Sequence, residues 1–159
     1  MIQDPNIHYL DNAATTMVAP EVADVIDKAM REHWANPSSL YAPGARSEEA
    51  LNAARAAVAR TFGCKPKELY FTSCGTEADN WAVYGTAKRL GKRGKHIVTT
   101  AIEHHAILNC MKDLEAQGFE VTYLQPDNSG NISPDSLKAA LRKDTILVSI
   151  MMVNNEAGS

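Results

Sequence analysis

Short apolar runs of strand character alternate with segments of helical periodicity along most of this chain. The runs predicted to be strands are residues 69–72, 96–100, 119–124 and 146–150. The helical patterns begin behind Pro20, at Ser47, at Thr76, near His105 and at Ser133. Because strands that alternate with helices are joined by right-handed crossovers, this order predicts an α/β fold, a mainly parallel sheet with helices on both faces.

The length of 159 residues and the hydrophobic share of 45% suit one globular domain with a single core. We expect residues 1–20 to form an extended amino-terminal arm and residues 21–159 to form the body of the domain. No internal repeat or long linker interrupts the chain.

Charge and composition argue against several classes of function. The net charge of −3 gives no basic surface for nucleic acid, and the basic stretch from Lys88 to Lys95, which glycines interrupt, is expected to be a solvated helix end. No apolar segment approaches membrane-spanning length, and the first residues lack a signal-peptide pattern. Cysteines without CxxC spacing argue against a disulfide framework and against structural zinc. We therefore expect a cytoplasmic protein without a metal site.

Polar side chains follow the predicted strands at the edge where parallel sheets bind ligands. Gly75 and Thr76 lie between a strand and a helix, where unpaired backbone amides can bind a phosphate. His104 follows the second strand and can stack on a planar ligand or move a proton, since histidine titrates near neutral pH. Asn155 follows the last strand and offers both a donor and an acceptor.

Each of these positions also has a purely structural interpretation. Thr76 followed by Glu77 is typical of ordinary capping at the amino terminus of a helix. His104 stands at a strand-to-helix junction, where histidine is more often structural, and Asn155 suits a turn or a cap. Taken singly, these residues leave both interpretations open.

Six segments taken together carry information that no single residue carries. They are residues 9–16 (YLDNAATT), 36–39 (NPSS), 71–80 (FTSCGTEADN), 103–104 (EH), 118–124 (GFEVTYL) and 153–158 (VNNEAG). In this order they resemble successive motifs of the cysteine desulfurases, pyridoxal-phosphate enzymes of the class V aminotransferase group. The resemblance covers nearly the whole chain and implies the amino-terminal portion of such an enzyme.

The resemblance implies a role for each candidate residue. Gly75 and Thr76 match the loop that holds the phosphate of pyridoxal 5'-phosphate. His104 matches the histidine that stacks on the pyridine ring and takes part in proton transfer, and Asn155 matches the asparagine near the ring hydroxyl and the substrate. Residues 21–159 would then be the amino-terminal part of the large, cofactor-binding domain of a fold-type I enzyme, with about four strands of its sheet. Cys74 stands where many relatives have glycine, so we expect it to crowd the phosphate loop slightly.

The implied reaction removes sulfur from L-cysteine and gives L-alanine and an enzyme-bound persulfide, for iron–sulfur cluster or thiolation pathways. The implied partners are L-cysteine, a second copy in a homodimer, and an iron–sulfur scaffold or another sulfur-acceptor protein. In the family, the Schiff-base lysine and the mobile catalytic cysteine come after the position of Ser159, and no lysine here has a Ser-x-His-Lys context. We therefore expect this stretch to be inactive by itself.

Two other interpretations stay open. A selenocysteine lyase or another class V aminotransferase would share the phosphate loop and the stacking histidine. A catalytically inactive binding or assembly module would retain only a partial site.

Overall fold

The computed structural model describes residues 6–159, which divide into two compact units. One unit ends at Phe71, and the other runs from Thr72 to Ser159. Residues 1–5 of the predicted arm lie outside the described residues, and the division of the chain at residue 20 stays a prediction. Within residues 6–159, every helix is too short or too polar to traverse a bilayer.

The first unit is helical. Its elements are α1 (Pro20–Glu32), α2 (Ala42–Thr61) and a 3-10 turn (Pro66–Glu68). Pro20 occupies the first turn of α1, where a missing amide hydrogen costs no helical hydrogen bond, and the predicted start is confirmed.

The predicted start of α2 at Ser47 is wrong, because the helix already begins at Ala42. Pro43 suits its first turn, and the Ser47 hydroxyl donates to the Pro43 carbonyl (3.2 Å) inside the helix instead of capping its end. Gly44 fits where no other residue would, since a Cβ there would lie 2.5 Å from the Ser39 carbonyl oxygen.

Residues 69–72, predicted to be a strand, form no strand in the structure. The Arg55 guanidinium donates to the Leu69 carbonyl (2.6 Å) and lies over the Phe71 ring, 5.0 Å from its centroid. A side chain of α2 therefore occupies the Leu69 carbonyl, which a neighbouring strand would need as a hydrogen-bond acceptor. Tyr70 and Phe71 are exposed, so apolar composition in this segment does not reflect burial in a sheet.

The second unit contains three helices and three strands among its described residues. They are α3 (Gly75–Leu90), β1 (His96–Thr100), α4 (His105–Ala116), β2 (Glu120–Leu124), α5 (Pro134–Ala140) and β3 (Thr145–Val148). The strands are parallel in the order β2-β1-β3. Residues 6–159 thus contain three strands of the sheet and not the four that the sequence predicted. The predicted parallel α/β arrangement is confirmed.

The strand order places helices on both faces of the sheet. The chain moves from β1 to one neighbour through α4 and then back past β1 to the other neighbour through α5. With right-handed crossovers, this reversal puts α4 and α5 on opposite faces. α3 packs against α4 and β3, and the core on that side is formed by Val83, Ala87, Ile97, Ile107, Cys110, Met111 and Leu114.

His96 joins all three strands through its imidazole. It is fully buried in β1, with Nδ1 2.7 Å from the Thr145 hydroxyl and Nε2 2.8 Å from the Thr122 hydroxyl. A neutral ring donates through one nitrogen and accepts through the other, so both hydrogen bonds form without a buried charge. Burial lowers the pKa of His96, and the charge of Arg142 lowers it further.

We predict that protonation of His96 destabilises this unit. Because its folded pKa is depressed, its contribution is complete above the unfolded pKa of about 6.5 and is lost as pH falls through the folded pKa. The free energy of unfolding, measured by denaturant titration, should therefore rise between about pH 5 and about pH 7.5. His96→Gln should lower stability at the upper pH by about 1–3 kcal/mol and flatten this dependence.

The matched control is His105→Gln, which changes an exposed histidine and should leave the slope unchanged. A His96→Gln variant with the same pH slope as the parent would show that another group causes the dependence.

Candidate functional site

The loops that follow β1 and β3 are joined by the carboxylate of Glu103. This side chain is 7% exposed and accepts the Thr100 hydroxyl (3.1 Å) and the Met151 amide (2.7 Å) through one oxygen, Oε1. Hydrogen bonds to an ionised acceptor are stronger than neutral ones. Glu103 therefore fixes the carboxyl end of β1 next to the segment that leaves β3.

Asn154 makes a second link between the same two loops. Its side chain is buried, and Nδ2 donates to the Ile102 carbonyl (2.8 Å). Its Oδ1 accepts the amides of Glu156 (2.9 Å) and Ala157 (2.8 Å), so the carboxamide also shapes the turn that follows. Asn155 lies in this turn, as its structural interpretation allowed, but the side chain that holds the turn is that of Asn154.

Asn155 is left exposed by this arrangement. Its Nδ2 lies 3.5 Å from Glu156 Oε1, at the long limit of a hydrogen bond, and its carbonyl oxygen accepts no hydrogen bond from residues 6–159. The carboxamide can therefore meet a ligand hydroxyl without first losing a strong internal partner.

His104 caps the amino end of α4 and presents the rest of its ring to solvent. Nδ1 accepts the Ala106 amide at 3.1 Å, which leaves the proton of the neutral ring on Nε2. The structural and functional interpretations of His104 are thus compatible. The cap holds one nitrogen, while the other nitrogen and the exposed ring face are available to a ligand.

The start of α3 has the open geometry of an anion site. Glu77 accepts the Ser73 amide (2.6 Å) and the Ser73 hydroxyl (2.7 Å). The cap position is Cys74 and Thr76 lies inside the first turn, so the expected capping by Thr76 is wrong, while the acidic Glu77 does lie in that turn. The first-turn amides of Gly75 and Thr76 have no acceptor inside the helix. A Cβ built on Gly75 would meet no atom within 4 Å, so a ligand has space to approach this backbone.

Hydrogen-bond donors at the start of α3 favour the negatively charged form of the exposed Cys74 thiol. The pKa of Cys74 is lowered by the Glu77 amide first, then by the Ser73 hydroxyl and the Thr76 amide. The same groups would stabilise a phosphate oxygen. The expected crowding of this loop by Cys74 stays a prediction.

Glu103 and Asn154 bring the regions of His104 and Asn155 together, since each is the residue immediately before one of them. No hydrogen bond within residues 6–159 links Thr76 to either of them. The sequence motifs included Glu103 and Asn154 but did not identify them as positioning residues. The sequence did contain a signal for these positioning residues, namely a polar residue directly before each candidate after a strand.

No group of three or more His, Cys, Asp or Glu side chains in residues 6–159 could hold a metal ion.

Residues 8–159 match the protein family described as Aminotransferase class-V. The cysteine desulfurase IscS of Methanosarcina thermophila is 52% identical over 151 residues, which are 95% of this chain and 37% of that protein. The cysteine desulfurase IscS of Dictyoglomus turgidum is 48% identical over 95% of this chain and 38% of its own length. The chain thus spans less than two fifths of the length of these curated relatives.

Solved structures share the fold described above. A NifS-like protein matches with a TM-score of 0.89 and 40% identity, over 92% of this chain and 40% of its own. SspA in complex with cysteine matches with a TM-score of 0.86 and 40% identity, over 93% of this chain and 43% of its own. The resemblance to cysteine desulfurases and to the fold of type I pyridoxal-phosphate enzymes is confirmed. The chain belongs to the class-V aminotransferase family, and the two relatives from Methanosarcina thermophila and Dictyoglomus turgidum are cysteine desulfurases.

Proposed function

We propose that this chain supplies one wall of the pyridoxal-phosphate site of a cysteine desulfurase. The observation that carries the proposal is the link made by Glu103 and Asn154, which leaves His104 and Asn155 exposed on neighbouring loops. The parent enzyme would convert L-cysteine to L-alanine and transfer the sulfur as a persulfide. It would act as a cytoplasmic homodimer and deliver sulfur to an iron–sulfur scaffold or another acceptor.

The residues present fit the chemistry of this cofactor. The first-turn amides of Gly75 and Thr76 suit the phosphate, the His104 ring suits a flat aromatic group, and the Asn155 carboxamide suits a phenolic oxygen. When bound, pyridoxal phosphate supplies an electron sink for the negative charge that develops on the substrate.

The role proposed for His104 is to hold and move a proton at Nε2. The Ala106 amide occupies the lone pair of Nδ1 and fixes the tautomer of the neutral ring. The same hydrogen bond limits rotation of the ring, so its exposed face is held ready for a planar partner. His104 would thus act as both a cofactor-binding and a catalytic residue.

The substrate proposal draws on the relatives. SspA, which is 40% identical to this chain, has been solved in complex with cysteine. The curated relatives described above are cysteine desulfurases, which supports L-cysteine as the substrate of the parent.

We predict that Thr76 recognises the phosphate of the cofactor and not its ring. Thr76→Val removes the hydroxyl with little change of shape, and a hydrogen bond to a charged group contributes about 1.5–3 kcal/mol. The affinity for pyridoxal phosphate should therefore fall at least about tenfold, while the affinity for pyridoxal stays unchanged. Isothermal titration calorimetry with both compounds measures the difference.

Thr61→Val is the matched control, because its hydroxyl donates to the Ala57 carbonyl within α2. It should leave both affinities unchanged. If Thr76→Val weakened the binding of both compounds equally, phosphate recognition would be contradicted. If the unsubstituted chain did not bind pyridoxal phosphate, the inactive-module interpretation would be favoured.

We predict that substitution of Asn154 affects the stability of the fold, whereas substitution of Asn155 affects the binding of pyridoxal phosphate. Asn154→Ala leaves the Ile102 carbonyl and two turn amides without partners, so it should lower the free energy of unfolding by about 1–3 kcal/mol. Asn155→Ala should change stability by less than about 0.5 kcal/mol but weaken binding of pyridoxal phosphate. Thermal unfolding with and without the cofactor measures both effects. Loss of stability in Asn155→Ala without loss of binding would assign it a structural role.

A further inference from the structure

A basic cavity lies at the opposite end of the sheet from the candidate site. It is an open hollow of about 460 Å³ between the carboxyl-terminal ends of α3 and α4. Lys95 and Phe119, which directly precede β1 and β2, form part of its wall. Each of these strands has five residues and extends about 16 Å, so the cavity is separated from the candidate site by about the length of the sheet.

The cavity combines apolar surface with three ammonium groups. Ala87 and Leu114 are buried core residues, and Phe119 packs against the same core. The ammonium groups belong to Lys88, Lys92 and Lys95. The Lys95 Nζ lies 4.0 Å from the centroid of the Phe119 ring, so charge and aromatic surface meet at one point.

These lysines have no charged partner in the described part of the chain. The ion pairs of residues 6–159 are formed by Lys28, Arg31, Lys138 and Arg142. The nearby Asp113 carboxylate accepts the Gln117 side-chain amide at 2.8 Å. Asp113 forms no ion pair with Lys88, Lys92 or Lys95 among the described residues, so these ammonium groups can still attract an anion.

The three lysine side chains do not cap the helix ends by hydrogen bonding, because backbone amides occupy the last carbonyls. The Gly91 amide donates to the Ala87 carbonyl (2.8 Å) at the end of α3, and the Phe119 amide donates to the Leu114 carbonyl (3.0 Å) at the end of α4. No side-chain hydrogen bond from the three lysines to these carbonyls occurs in residues 6–159. The ammonium groups therefore keep their hydrogen-bonding capacity for a ligand.

We propose that this cavity binds a small ligand that carries two or more negative charges and a flat apolar group, such as a nucleoside diphosphate. Lysine is a point charge on a flexible stem and adapts to phosphate oxygens without a fixed geometry. The partly exposed ring of Phe119 provides an apolar surface for the flat group. The volume lies in the range of about 300–1,000 Å³ that small-ligand pockets occupy, which favours a small molecule over a protein surface. This inference does not depend on the proposed function.

The test compares ADP with its two parts, adenosine and inorganic pyrophosphate. Calorimetry with the complete chain should show that ADP binds more tightly than either part. In NMR spectra, ADP should shift the amide signals of Gly91 and Phe119 and leave those of Gly75 and Thr76 in place. No ADP binding at millimolar concentration, shifts only at Gly75 and Thr76, or pyrophosphate binding as tight as that of ADP would each overturn the proposal.

Two triple variants with the same change of net charge test the location. Replacing Lys88, Lys92 and Lys95 by Gln should weaken ADP binding about tenfold, because three positive charges that line the cavity are removed. Replacing the non-lining residues Arg89, Arg93 and Lys112 by Gln should change it less than about twofold. Equal weakening would indicate general attraction of an anion and overturn the assigned site.

A single-residue comparison keeps the test decisive if a triple variant fails to fold. Lys92 lines the cavity and Arg93, the next residue, does not. Lys92→Gln should weaken ADP binding about threefold, and Arg93→Gln should leave it unchanged. The reverse order of effects would overturn the proposal. Increasing salt should weaken ADP binding to the parent chain more than to Lys92→Gln.

Discussion

The buried carboxylate of Glu103 is the interaction on which the geometry of the candidate site depends. A buried charge is costly unless hydrogen bonds compensate it, and here the Thr100 hydroxyl and the Met151 amide do so. These partners belong to the ends of two different strands. Because β1 and β3 are paired parallel strands, their following loops start side by side, and the need to satisfy one carboxylate then holds these loops in contact. Asn154 reinforces the link through Ile102. His104 and Asn155 remain exposed, because the hydrogen bonds that link the two loops are made by Glu103 and Asn154.

Local sequence patterns predicted most helices and strands of the second unit, because the formation of these elements depends largely on residues that are close in sequence. The burial of all five residues of β1 and the alternation of strands with helices follow from such patterns. Residues 69–72 show the limit of this reasoning. An apolar run becomes a strand only when a neighbouring strand supplies hydrogen bonds, and here Arg55 takes the Leu69 carbonyl instead. The early start of α2 likewise depends on Gly44, which fits closely beside Ser39.

The sequence also placed Thr76, His104 and Asn155 at the ends of elements, because the topology of a parallel sheet determines where its loops lie. It could not identify the residues that position them. Glu103 and Met151 are 48 positions apart, and Ile102 and Asn154 are 52 apart, so these contacts exist only in the folded chain. The basic stretch from Lys88 to Lys95, which begins in the last turn of α3, is predicted by the sequence to be a solvated helix end. Its relation to the cavity required the end of α4 and Phe119, which lie beyond β1 in sequence.

The two ends of α3 offer negative ligands different kinds of attraction. At its start, unpaired amides act on an anion over a short distance and with defined directions. At its end, the helix dipole opposes an anion, and only the lysine side chains can reverse that effect. The 16 residues of α3 separate these regions by about 24 Å, several times the distance of about 8 Å over which physiological salt screens charge. An anion at one end therefore has little direct electrostatic effect at the other, and the two proposals stand or fall separately.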